Sequence, residues 1–127
     1  MPTKLQQFKH GSESWKRMLE FMQQENVHLK TRLAEVLKTD VEEDFLEKAE
    51  YFQTNFLHFD ERISFLRRDI AEFNKMFLTE LFNNGHLKDI TLRQKDLESE
   101  IETEGKKFNK LRVEFNNYLI ESLSSLL

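Results

Sequence analysis

The sequence predicts an all-α protein, three long antiparallel helices packed as a coiled-coil-like bundle, and three observations carry that prediction. Glycine occurs three times and proline once, at Pro2, so little is present to build hairpins or to break a helix. Phenylalanine occurs 12 times in 127 residues, and much of it falls in one periodic run from Phe45 to Phe77. Charged residues make up 33% of the chain and hydrophobic ones 39%, a balance that suits an elongated bundle with limited core per residue.

The middle helix gives the clearest pattern. Phe45, Ala49, Phe52, Phe56, Phe59, Ile63, Leu66, Ile70, Phe73 and Phe77 follow one another at alternating spacings of four and three, with no polar residue among them. A seven-residue apolar period keeps one seam facing a partner helix along the whole rod. Its start is marked by Asp40, which can cap the first-turn amides while Glu43 reaches back as a capping box. Its end is marked by Asn83-Asn84-Gly85-His86, residues that tolerate the left-handed conformation of a helix C-cap.

Helix one repeats the period with Trp15, Leu19, Met22, Asn26, Leu29, Leu33 and Val36, and either Ser12 or Ser14 can cap its beginning. The run Asn26-Val27-His28-Leu29 with Leu33 and Val36 resembles the asparagine-bearing stretch of a leucine zipper over about two heptads, without a preceding basic region. The resemblance implies a packing logic in which Asn26, the one polar seam residue, fixes register.

Helix three keeps phase through Leu87, Ile90, Gln94, Leu97, Ile101, Glu104, Phe108, Leu111, Phe115 and Tyr118. Gln94 and Glu104 interrupt its apolar run, and after Tyr118 the stripe slips to Leu119, Leu123 and Leu126. Gly105 lies in the helix interior, where glycine costs about 1 kcal/mol relative to alanine, and predicts a soft point or a close helix approach. With Asp89 or Thr91 as cap, the expected helices are approximately 14–38, 41–83 and 88–125 of a single domain, 1–127. Connections this short make neighbours antiparallel.

These spans are unequal. At about 1.5 Å per residue, helix one reaches only to the level of residue 65 or so of helix two, giving a three-helix core of Trp15, Met22, Phe52, Phe56, Phe108 and Phe115. Residues 66–83 and 88–106 then form a two-helix arm carrying Phe73, Met76, Phe77, Leu78, Leu81, Phe82, Ile90, Leu92 and Leu97. Two helices do not bury that much apolar surface, so two arms are expected to pair into a four-helix bundle and make a homodimer. The segment 1–13, with Leu5 and Phe8, offers another cover for the arm. A further stripe, Tyr51, His58 and Phe65 beside Leu57, is expected to pack on helix one, with a partner surface as the other reading.

Motifs for chemistry are sparse. A carboxylate-bridged metal bundle needs two Glu-x-x-His pairs, and this chain has one, Glu25-Asn26-Val27-His28, whose histidine falls beside the seam. His58-Phe59-Asp60-Glu61 fails likewise, and neither His28 nor His86 has the surroundings of a phosphotransfer histidine. Gly11, Gly85 and Gly105 stand alone, so no phosphate-cradling loop exists. Without cysteine there is no thiolate nucleophile or thiolate metal site. Lys106, Lys107, Lys110 and Arg112, and again Arg67-Arg68, alternate with Glu102, Glu104 and Glu114 as a solvated face with pairs such as Glu102 to Lys106 and Asp44 to Lys48.

A formal net charge of −4 disfavours nucleic acid, which needs concentrated cations. Neither a signal-peptide core nor a run of roughly 20 apolar residues is present, so no membrane contact is expected and a cytoplasmic location is. The function expected is that of a self-associating helical interaction, scaffold or regulatory adaptor module, non-enzymatic and without cofactor, whose partner is itself or another protein. One alternative is a bundle holding a small apolar ligand or a metal between its helices, with Asn26, Gln94, Glu104 and Tyr118 as inward polar groups. A second is an enzyme whose residues converge only in the fold.

Overall fold

The computed structural model describes residues 4–39, 42–82 and 87–124, with side chains described at positions 6–39, 42–79, 88–122. It contains three helices, α1 (Lys4–Leu37), α2 (Glu43–Phe82) and α3 (Leu87–Ser124), packed against one another as an all-α bundle. α1 and α2 run antiparallel, as do α2 and α3, so α1 and α3 are parallel. The Asp40 cap and the Asn83-Asn84-Gly85-His86 turn fall outside the described residues.

The heptad phase read from the sequence holds in α2. Every seam residue from Ala49 to Phe73 is buried, and the two terminal ones, Phe45 and Phe77, are half-buried. Phe56 and Phe115, both fully enclosed, meet edge-to-face at 5.1 Å, while Phe59 meets Phe108 at 5.4 Å. Aromatic pairs in such geometry add about 0.5–1.5 kcal/mol beyond the area they bury. The period-seven placement of phenylalanine is therefore what draws α3 onto α2.

α1 corrects the sequence expectation. It begins at Lys4, about three turns earlier than residue 14, and spans 34 residues against 40 and 38 for its neighbours. The reason lies in the same period. Phe8 and Ser12 stand four and three residues apart ahead of Trp15 and extend the seam upstream, and both are buried. Ser12 does not cap: its hydroxyl donates to Asn74 Oδ1 across the α1–α2 interface at 3.0 Å. A short polar side chain can satisfy itself against a neighbouring helix as well as at a helix end.

With α1 extended, three helices run along almost the whole length and the two-helix arm does not exist. Phe8 meets Phe77 edge-to-face at 5.0 Å and Phe73 at 6.2 Å, and Trp15 meets Phe73 at 5.6 Å. Trp15 thus belongs to the half of the core that the unequal lengths had left uncovered. Among the residues assigned to that arm, Phe73, Ile90 and Leu97 are interior within one chain and Met76 and Phe77 are half-buried; Leu78 and Leu92 stay more than half exposed. The side chains of Leu81 and Phe82 lie outside the described residues.

Two further expectations change. Gly105 approaches no other helix, since nothing lies within 4 Å of where its Cβ would be. The ion pairs of the described residues are mostly between helices, Lys30–Asp60, Arg62–Glu104, Arg93–Asp69 and Arg112–Glu25, in place of the i,i+4 pairs expected along single helices.

Candidate functional site

The four inward polar groups do not converge. Asn26, fully buried, donates Nδ2–H to the Phe56 carbonyl and to Asp60 Oδ1, each at 2.8 Å, and its own Oδ1 has no partner. Glu104, 5% exposed, accepts from Arg62 through Nη2 at 2.9 Å and Nε at 3.1 Å. Tyr118 donates its hydroxyl to the Phe45 carbonyl at 2.8 Å, and burial pushes its phenol up to about 12. Gln94 is half-buried, its Nε2 beside Gly11. Each stands at its own level of the bundle, and Asn26, Glu104 and Tyr118 are engaged within the chain. Among the described residues no three His, Asp or Glu side chains group closely enough to hold a metal ion.

The stripe Tyr51, His58 and Phe65 is placed differently from the sequence expectation. These residues sit on the α3 side of α2, away from α1, and all three are exposed, Tyr51 at 53% and Phe65 at 52%. A helix interface in which seam residues supply the contact leaves the next positions outward only partly covered. Arg68 lies over the Phe65 ring at 5.6 Å, and Tyr51 donates to Glu114 Oε2 at 3.4 Å. Burial first, then the charge of Glu114, hold the Tyr51 phenol above its ordinary value.

Between Tyr51 and Arg62 on α2, and between Glu104 and Glu114 on α3, runs an open groove of about 520 Å³. Its floor is apolar, formed by the buried Phe59 and Leu111. One end is closed by the Arg62–Glu104 pair and the other by Tyr51 with Glu114. Between these ends His58, Lys107 and Lys110 line it and are exposed; Lys107 approaches Glu104 Oε1 only at 3.9 Å, an oxygen already held by Arg62. A smaller hollow of about 260 Å³ lies between the start of α1 and the end of α2, over Phe8, Phe73, Phe77 and Leu78.

The chain matches no family model, no curated protein and no solved structure. No helix among the described residues is long and apolar enough to cross a membrane. Besides the groove, large apolar side chains stand more than half exposed at Phe21, Val27, Leu57 and Ile120. Sequence reasoning treated Lys107 and Lys110 as part of a mixed solvated face and saw Glu104 as an interruption of the seam. Arg62 directly precedes the seam residue Ile63 and so flanks the seam, on the side that α3 takes in the structure.

Proposed function

We propose that this chain is a non-catalytic helical interaction module that presents its outer faces to other proteins, a second copy of itself among them. One observation carries the reading: Tyr51 and Phe65, two aromatic rings more than half in solvent, recur on one face of α2 beside an apolar-floored groove. Single exposed apolar residues are ordinary, but aromatic side chains gathered along one face are what interfaces enrich. The distribution of polar groups supports it as well. Among the described residues the interior ones Asn26, Glu104 and Tyr118 are each engaged in bonding one helix to another.

Self-association rests on the exposed apolar residues Phe21, Leu57, Val113 and Ile120, with Leu92 from the expected arm, since Phe73, Ile90 and Leu97 of that arm are interior. Sedimentation velocity over about 1–100 µM is the test, a range suited to the weak end of homodimer affinities. A shift toward twice the monomer mass with rising concentration is expected. A compact monomer throughout removes the self-association half of the proposal.

A further inference from the structure

We infer that the α2–α3 groove is the docking site for an acidic amphipathic helix of another protein, laid along the bundle as a fourth helix. The inference rests on the interaction-module reading and names its surface and partner. The bottom is formed by Phe59 and Leu111, of which only 6% and 5% is exposed, and the half-exposed ring of Tyr51 adds apolar surface at one end. Tyr51 and Arg62, the two ends of the groove's α2 side, stand about 17 Å apart along the axis, room for roughly three turns of a docked helix.

Charge selects the occupant. In the groove Arg62 offsets Glu104, and Glu114 stays a carboxylate beside the Tyr51 hydroxyl, so three cations against two carboxylates leave the lining one net positive charge. Lys107 and Lys110 then form a cationic rim on the α3 side, facing His58 across the floor, although the whole chain carries −4. Carboxylates on the rim of an incoming helix would meet these ammonium groups while its apolar stripe met the floor. A second copy docking through the same groove by a two-fold axis would bring Lys107 and Lys110 against their own counterparts, so like charge disfavours it.

The test uses the full chain and two labelled synthetic helical peptides of about 20 residues, one with leucine at heptad seam positions and glutamate elsewhere, the other with lysine for glutamate. Fluorescence anisotropy is expected to show the acidic peptide binding about tenfold or more tightly than the basic one. Amide shifts are expected at positions 51–65 and 104–114. The Lys107→Glu/Lys110→Glu double variant, altered only at exposed positions and checked for fold by circular dichroism, is expected to reverse the preference.

Charge-insensitive binding, or shifts confined to the hollow over Phe8 and Leu78, each overturn the groove assignment. Binding elsewhere would leave the interaction module standing and sink only this site. If neither peptide binds up to about 100 µM, near the weak limit of specific helix docking, the inference fails, and monomeric sedimentation beside it sinks the module reading as well.

Discussion

Asn26 of α1 and Asp60 of α2 are joined by a 2.8 Å hydrogen bond from Nδ2 to Oδ1, and the same Nδ2 reaches the Phe56 carbonyl. Lys30, one turn further along α1, pairs with the other oxygen of Asp60. The polar contact therefore links α1 to α2 within one chain, and the register role that a zipper-like asparagine implies is what the Asn26→Leu variant tests.

That arrangement has a measurable cost, because Asn26 Oδ1 is buried without a partner. Asn26→Leu removes the orphaned acceptor and fills the site with carbon, while Asp60 keeps Lys30 and partial solvent. Stability is expected to rise by about 1 kcal/mol, with α1 less uniquely seated. Thermal melts and amide exchange along α1 check this. A fall in stability of similar size would mean the bond contributes more than the orphan costs.

Phe8→Ala tests whether the start of α1 is structural. Phe8 is 5% exposed and rests on Phe73 and Phe77, so its truncation is expected to cost about 3 kcal/mol in urea unfolding. It should also uncover those two rings and increase self-association in sedimentation. Phe21→Ser, at a residue 54% exposed, is the contrast and should stay within about 0.5 kcal/mol. Equal, small effects at both positions would mean α1 is frayed before Trp15.

Arg62→Ala leaves the Glu104 carboxylate buried beside a distant Lys107. Because Arg62 is itself 38% exposed and water can partly replace it, the expected loss is about 2 kcal/mol, below that of a fully buried pair. Replacing both, Arg62→Met with Glu104→Leu, should restore stability to within about 1 kcal/mol of the parent or exceed it. A double-mutant cycle measures the coupling, and a strictly additive result would show that the pair contributes nothing.

Tyr118 gives a pH dependence. Its phenol is raised to about 12 in the folded chain by burial, against an ordinary value of 10.0, so the folded state holds the proton more tightly. The contribution is fully present below pH 10 and is lost as pH rises through 10 toward 12, where only the unfolded chain has ionised. Chemical unfolding at pH 9 and 11 is expected to show a steeper alkaline loss for the parent than for Tyr118→Phe. Parallel losses would mean that the Tyr118 phenol does not shape the alkaline transition.

What was legible in the sequence is the lengthwise pattern. The unbroken seam from Phe45 to Phe77 determined that α2 is one continuous rod with a dry side, because a seven-residue apolar period leaves a helix only one way to face its neighbours. The same pattern determined three helices and the interior placement of Asn26 and Glu104. Ser12 and Ser14 resemble caps, and that local chemistry obscured the two seam positions ahead of Trp15.

Only the tertiary structure decided what lies across from each residue. Spacing along one helix fixes which side a residue occupies but not which neighbour meets that side, since the two flanks of a seam are equivalent until a third helix packs. Hence Ser12 turned out to face Asn74 across an interface, Tyr51 and Phe65 to border α3 in solvent, and Arg62 to hold Glu104. The groove with Lys107 and Lys110 exists only once α3 has taken its register on α2, because its floor comes from one helix and the other in equal part.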